Sequence, residues 1–151
     1  MEEFESCGYI EHGMVLDHCN VIRHCNNFNP RYEGRPVIYE NYKGEKINWE
    51  EFFEIKRNLR KLFREKDCPP SCRDCVGIAH KKWDDEDYIN YLLLTPWVAC
   101  NSNCIYCDAP RNQDVINNTK KYKVLPLIKD MIRNKILRQD ATIDFAGGEP
   151  T

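Results

Sequence analysis

Cys100-Asn101-Ser102-Asn103-Cys104-Ile105-Tyr106-Cys107 is a short segment that carries three cysteines in the spacing C-x3-C-x2-C. At this spacing a tight turn can direct all three sulfur atoms towards one point. Thiolates bind iron–sulfur clusters or zinc, and four of them fill the protein positions of a four-iron cluster. Three thiolates leave one metal position open to a substrate or cofactor, which favours a reactive site over a purely structural one.

The residues on either side of this loop predict a strand, a helix and a second strand. Tyr88–Thr95 is apolar enough for a strand buried on both faces, and Pro96 is expected to end its ladder because it lacks an N–H. A helix of three or four turns follows, with Pro126 in its first turn, and Thr142–Ala146 forms the second strand. The apolar positions that predict the helix are Leu125, Ile128, Met131, Ile132, Ile136 and Leu137. This order predicts one βαβ unit with parallel strands and a right-handed crossover.

A second motif, Gly147-Gly148-Glu149-Pro150, follows the second strand directly, as the cysteine loop follows the first. Ligands of βαβ units bind at the carboxyl ends of the strands, so we expect the two motifs to face one site. Taken alone, the glycine motif fits an ordinary turn, and the cysteine loop fits a structural zinc site. No fourth ligand for zinc is evident beside the loop.

Together and in this order, the two motifs resemble those of the radical S-adenosylmethionine (SAM) superfamily. The resemblance covers roughly residues 87–151, and Asn101 after the first cysteine is a frequent companion in that family. It implies an α/β fold, the start of a partial (β/α) radical SAM barrel of which only the first βαβ unit is present. Two strands cannot bury both faces of a sheet, so we expect the chain to be the front of a longer protein.

The resemblance also implies the site and its chemistry. A [4Fe-4S] cluster would be held by Cys100, Cys104 and Cys107. Its fourth iron would chelate SAM, whose methionine end and adenine would be contacted by Gly147, Gly148, Glu149 and Tyr106. One electron from the cluster, supplied by a low-potential flavodoxin or ferredoxin-like donor, would cleave SAM and start hydrogen abstraction from a substrate.

Six further cysteines precede residue 80, within a segment that predicts small β-structures and one helix. Gly13 suits the turn of a first hairpin, and Lys43-Gly44 suits the turn of a second hairpin between residues 37–40 and 45–47. Asn48 caps an amphipathic helix, with Glu51 completing a capping box. The helix is expected to end near Lys66, before a proline pair that cannot continue it.

Two early cysteines around a hairpin, a helix and then C-x2-C resemble the SPASM/twitch domains of many radical SAM enzymes. The resemblance implies an auxiliary [4Fe-4S] cluster bound by Cys7, Cys19, Cys72 and Cys75. Cys25 and Cys68 would be spare or would replace one of the four. A zinc ribbon built from the same thiols is the alternative. We therefore expect an α+β cysteine-rich domain at residues 1–80, a linker at 81–87 and the barrel segment at 88–151.

Bulk properties narrow the range of partners. The chain has 151 residues and a net charge of −2, which gives no general attraction for nucleic acid or anionic lipid. No signal peptide is evident, and the longest apolar stretch, around Tyr91–Val98, is too short to span a bilayer. These features predict a cytoplasmic protein without a membrane or nucleic-acid partner. In a reducing compartment, nine cysteines are more readily explained as metal ligands than as disulfides.

The expected function is therefore that of a radical SAM enzyme acting on a peptide or a small molecule. Families with auxiliary clusters include peptide and protein maturases and alcohol-oxidising dehydrogenases, and the sequence does not choose between them. The alternative is a non-enzymatic module that binds zinc or an iron–sulfur cluster and mediates interactions.

Overall fold

The computed structural model describes residues 3–25, 37–40, 42, 44, 46–97 and 123–147. Seven strands and three α-helices occur within these ranges. In chain order they are β1 (Glu3–Ser6), α1 (Gly8–His12), β2 (Gly13–Leu16), β3 (Ile22–Arg23), β4 (Val37–Tyr39), α2 (Trp49–Arg64), β5 (Ala79–Lys82), β6 (Ile89–Trp97), α3 (Val124–Arg133) and β7 (Leu137–Gly147). A short 3-10 turn at Pro70–Cys72 lies between α2 and β5.

The main sheet has the strand order β4-β3-β2-β6-β7. Strands β2, β6 and β7 are parallel, whereas β3 pairs antiparallel with both β2 and β4. The predicted parallel pair around a helix is confirmed as β6, α3 and β7. Strand β6 runs through Pro96 to Trp97, beyond its predicted end, and the pairing shifts between Leu94 and Trp97. Such a shift accommodates a residue that has no N–H to donate.

Helix α2 begins as its sequence predicts and ends at Arg64, close to the predicted end. The Asn48 side chain accepts a hydrogen bond from the backbone N–H of Glu51, as an N-cap should. Trp49 on α2 donates from its indole nitrogen to Asp130 Oδ2 of α3 at 2.7 Å. The two helices and the sheet pack around one main core. The fully buried residues of this core include Met14, Leu16, Ile22, Phe52, Ile89, Leu92, Leu94 and Met131.

The first hairpin differs from its prediction. Gly13 begins β2, and the hairpin turn lies between Asp17 and Val21, where Asp17 Oδ1 accepts from the N–H groups of Cys19 and Val21. Gly13 serves close packing instead of a turn, because a Cβ there would lie 2.7 Å from Tyr9 Cα and 3.1 Å from the His24 carbonyl oxygen. The prediction of the second hairpin is also wrong, because β4 pairs with β3 and residues 46–47 belong to no strand.

Residues 81–87, which the sequence suggested as a linker, are integrated into the fold. Strand β5 includes Lys81 and Lys82 and pairs with β1, and the Trp83 indole donates to the Phe4 carbonyl oxygen at 3.1 Å. Asp85 and Asp87 pair with arginines of α2. Because β2 also pairs with β6, one sheet and one core include residues from both sides of the expected boundary. The described residues therefore do not divide into two domains at residues 81–87.

Candidate functional site

The strands that precede the two motifs of the predicted SAM site end at the same edge of the sheet. Trp97 and Gly147 are paired in register at the carboxyl ends of the parallel strands β6 and β7. Cys100 is the third residue after Trp97, and Gly148 follows Gly147 directly. Gly147 has a φ of 121°, a conformation that favours glycine. The other predicted residues of this site lie outside the described part of the chain: Cys100, Cys104, Cys107, Tyr106, Gly148 and Glu149.

Two tyrosines and a carboxylate connect the first half of β6 to β7 and to α1. The Tyr91 hydroxyl donates to Asp144 Oδ2 at 2.7 Å, joining β6 to β7. Tyr9 of α1 packs edge-on against the Tyr91 ring, with ring centroids 4.9 Å apart. Burial and then the hydrogen bond to Asp144 raise the pKa of Tyr91. The sequence analysis did not identify this group, although a carboxylate within the apolar run Thr142–Ala146 was a usable signal.

Two of the predicted auxiliary ligands, Cys7 and Cys72, are buried in a second apolar cluster. Cys7 is the N-cap residue of α1, and Cys72 ends the 3-10 turn after α2. They pack with Ile10, Leu59 and Phe63, and Cys68 lies against the same cluster. Cys75 follows in a backbone turn, its N–H donating to the Cys72 carbonyl oxygen at 3.3 Å.

Five thiols lie in one region: Cys7, Cys68 and Cys72 belong to the apolar cluster, Cys75 is joined to Cys72 by the backbone turn, and Cys25 is near enough to influence Cys7 and Cys72. Burial raises the pKa of Cys7, and the neighbouring Cys25 and Cys75 raise it further. Burial likewise raises the pKa of Cys72 to about 12, with added contributions from Cys25, Cys7 and Cys68. We call Cys7, Cys25, Cys68, Cys72 and Cys75 the thiol cluster.

Of the four predicted auxiliary ligands, Cys7, Cys72 and Cys75 lie in this region together with Cys25, whereas Cys19 lies apart from it. Strand β3 returns antiparallel along β2, so it carries Cys25 back towards Gly13 and α1. Cys19 lies in the turn at the opposite end of β2 from Gly13. At the usual rise of a strand, the two ends of β2 are about 10 Å apart. The misplaced hairpin turn in the sequence analysis is the cause of this difference.

A buried lysine lies beside the thiol cluster. The side chain of Lys56 is fully buried, and its Nζ donates to the carbonyl oxygens of Gly13 at 2.8 Å and Tyr9 at 3.2 Å. Burial, followed by repulsion from Arg60, lowers the pKa of Lys56 to about 7, while the charges of Glu11, Cys7 and Cys25 act in the opposite direction.

A second buried cation, Arg60, is matched by a carboxylate. Its Nε lies 3.2 Å from Glu11 Oε2, and its Nη2 donates to the Glu11 carbonyl oxygen at 2.5 Å. Glu11 Oε1 also accepts from the Ser6 hydroxyl. Burial raises the pKa of Glu11 in spite of these partners. Glu11 is therefore occupied by Arg60 and Ser6.

Within the described residues, no group of three or more histidine, cysteine, aspartate or glutamate side chains is arranged to hold a single metal ion. The thiol cluster supplies the soft donors that zinc and iron–sulfur clusters prefer, gathered in one region but not closed into a single-ion cage. No helix in that part of the chain is long and apolar enough to cross a membrane. Comparisons of the chain with protein-family models, curated proteins and solved structures found no match.

Proposed function

We propose that this chain carries the cofactor site of a radical SAM enzyme. The observation that carries the proposal is the pairing of Trp97 with Gly147, because the strands before the two motifs thereby end at adjacent positions on one sheet edge. A cysteine loop and a glycine motif that begin side by side can contact the two halves of one bound cofactor.

The proposed roles follow from the chemistry of the residues. Cys100, Cys104 and Cys107 bind a [4Fe-4S] cluster as thiolates, and the segment from Gly147 to Glu149 contacts SAM, with Tyr106 near its adenine. Glycine permits close approach of the backbone, and a carboxylate or carbonyl accepts hydrogen bonds from an ammonium group. When bound, the cluster and SAM supply one-electron chemistry that ends in hydrogen abstraction from a substrate.

The wider setting belongs to the same proposal. The electron comes from a low-potential flavodoxin or ferredoxin-like protein in the cytoplasm, and the substrate is a peptide or a small molecule. Maturation of a peptide or protein and oxidation of an alcohol are the two outcomes that fit an enzyme with an auxiliary cluster.

We further propose that the thiol cluster binds an auxiliary [4Fe-4S] cluster through Cys7, Cys25, Cys72 and Cys75, with Cys68 as the alternative to one of them. The support is their shared location and the position of Cys25 beside α1. Zinc at the same thiols is the alternative.

A non-enzymatic metal-binding module is the second candidate function. It is favoured by the burial of Cys7 and Cys72 among apolar side chains, since a metal there would stabilise the fold. Metal content distinguishes the two candidates: the enzyme requires iron with acid-labile sulfide, whereas a zinc module contains zinc alone.

Anaerobic reconstitution of the whole chain with iron and sulfide, followed by EPR after reduction, tests the enzyme proposal. The signal should change on addition of SAM. Cys104→Ala should abolish this response, whereas Cys19→Ala, which lies outside both proposed ligand sets, should retain it. A SAM-responsive signal that survives in Cys104→Ala would contradict the proposal.

A further inference from the structure

An open groove lies between helix α3 and the segment that precedes α2. It has a volume of about 360 Å³, and its apolar floor includes Ile47 from the segment and Leu127 from the helix, both of which are buried. Lys46, Lys129 and Arg133 line the same groove and are exposed. We call this site, with its apolar floor and its three cations, the basic groove.

The cations of the basic groove are not neutralised by their surroundings. Among the described residues, none forms an ion pair with any of the three. The carboxylate that also lines the groove, Asp130, is engaged elsewhere: its Oδ2 accepts from the Trp49 indole at 2.7 Å, and its Oδ1 accepts from the Asn134 amide at 3.2 Å. Because the chain as a whole has a net charge of −2, this concentration of positive charge does not follow from composition.

The fold gains little from placing these cations together. Lys129 and Arg133 are one turn apart on α3, so their like charges lie on one helix face and repel each other. Arg133 is in the last turn, where the helix dipole favours a cation, but this explanation does not extend to Lys129 or Lys46. A cleft whose lining charges share one sign attracts ligands of the opposite sign.

A larger groove beside β1 and β5 shows the contrast. It has a volume of about 680 Å³ and is lined by acidic and basic side chains in equal number. Arg64 pairs there with Asp85, and His80 Nδ1 lies 3.7 Å from Glu3 Oε2. Such a lining selects no particular ligand charge, whereas the basic groove selects an anion.

We propose that the basic groove docks an extended acidic peptide segment of a partner protein. Carboxylates of the segment pair with Lys46, Lys129 and Arg133, and an apolar side chain between them packs on Ile47 and Leu127. The exposed cations give charge selection and fast association, and the apolar floor adds affinity that exposed ion pairs alone do not supply. The docking site is separate from the proposed cofactor site and does not depend on it.

A nucleic acid would carry the same charge but fits the basic groove less well. Proteins that bind single strands stack the bases on aromatic rings along a positively charged groove. Tyr42 lines the basic groove but is only 6% exposed, so its ring offers no stacking surface. The aliphatic side chains of Ile47 and Leu127 suit an aliphatic side chain of a peptide instead.

The test measures binding of fluorescein-labelled hexapeptides to the whole chain by fluorescence anisotropy at low salt. The first peptide contains only glutamate and leucine. In the second peptide glutamine replaces every glutamate, and in the third serine replaces every leucine. A labelled oligothymidylate with the charge of the first peptide is the fourth probe. We expect the glutamate–leucine peptide to bind most tightly, and its affinity to fall as salt is added.

Variants of the chain locate the binding. Lys129→Gln and Arg133→Gln should each weaken binding of the glutamate–leucine peptide about threefold, and the triple variant that adds Lys46→Gln should weaken it at least about tenfold. Arg133→Lys keeps the charge and should retain most of the affinity. Lys135→Gln is the matched control, because Lys135 is exposed just after the same helix and does not line the groove. All of these positions are exposed, and circular dichroism verifies that each variant folds.

Equal affinity of the native chain and the folded triple variant would overturn the proposal, and so would failure of the glutamate–leucine peptide to bind. Binding of the glutamate–serine peptide with the same affinity would also overturn it, since the apolar floor would then have no part. Tighter binding of the oligothymidylate would replace the peptide with a nucleic acid as the partner. None of these results bears on the SAM site, which the EPR experiment tests separately.

Discussion

The thiol cluster and the edge where β6 and β7 end are built in opposite ways. At the edge, each motif is continuous in sequence and follows a strand, so the pairing of β6 with β7 is enough to bring the ends of the two preceding strands together. The thiol cluster draws on Cys7, Cys25 and Cys72, which are far apart in the chain and meet only through the packing of α1, β3 and the turn after α2.

The two regions also differ in burial. Cys7 and Cys72 are buried, and the same part of the protein encloses the charged side chains of Glu11, Lys56 and Arg60. Strand β7 lies at an end of the sheet order, and all of its residues are exposed or half-buried, with Phe145 54% exposed. A polar substitution should therefore be costly near the thiol cluster and cheap at the strand edge.

The largest effect is expected from Phe52→Ala, which tests whether the two regions depend on one core. Phe52 is fully buried in the main core, which contacts α2, α3 and the sheet. The cavity should lower the free energy of unfolding by about 3 to 5 kcal/mol, measured by urea denaturation. Val76→Ala, at a fully exposed site, is the control. A loss below about 1 kcal/mol would mean that the core tolerates the cavity by collapsing.

A smaller effect is expected from the titration of His12, near the thiol cluster. Burial lowers the pKa of His12 from 6.5 to about 4, although Asp84 lies 3.3 Å from its Nε2. The unfolded chain therefore binds a proton at His12 between pH 6.5 and 4 that the folded chain does not, so stability falls as the pH falls through this window.

His12→Gln should reduce that pH-dependent loss by about 2 kcal/mol, measured as the unfolding free energy at pH 7 and pH 4.5. His80→Gln is the matched control, because His80 is exposed. Identical pH profiles for wild type and His12→Gln would show that His12 is not the group responsible.

Much of the fold could be predicted from the sequence because its signals are local. The Asn48 cap and the helical period of α2 depend on neighbouring residues, and the βαβ unit follows from the order of apolar segments. The first hairpin was predicted at the wrong place because a glycine can serve either a turn or the close packing of two segments. The sequence shows a glycine, but only the packed structure shows that its missing Cβ makes room for Tyr9 and His24.

The candidate sites divide in the same way. The cysteine loop and the glycine motif were recognisable from spacing, whereas the separation of Cys19 from Cys25 required the position of the turn at Asp17–Val21. Lys56 had a sequence signal that was overlooked: it falls on the apolar face of α2, where a charge needs a buried partner. Which partner it has depends on tertiary contacts that spacing does not encode.

Trp49→Phe should have a moderate effect on stability, because Trp49 links α2 to α3 through a hydrogen bond. The substitution removes the 2.7 Å hydrogen bond from the indole to Asp130 Oδ2 and leaves the carboxylate partly buried. A loss of about 1.5 kcal/mol in unfolding free energy is expected, since the acceptor is charged. Leu125→Ala, at a mostly exposed site on α3, should change stability by less than about 0.5 kcal/mol. Equal losses in both variants would argue that the hydrogen bond does not contribute.

The smallest effect is expected from Tyr91→Phe, at the exposed contact between β6 and the outer strand β7. The phenol donates to Asp144 Oδ2 at 2.7 Å, but the pair is exposed, so water can replace either partner when the other is removed. We expect Tyr91→Phe and Asp144→Asn each to lower the unfolding free energy by less than about 1 kcal/mol. The double variant should lose less than the sum of the two single losses, because the two side chains share one hydrogen bond. A loss above about 2 kcal/mol from either single variant would contradict the contrast between the two regions. In that case the side chains, and not only the backbone ladder, would hold β7 on the sheet.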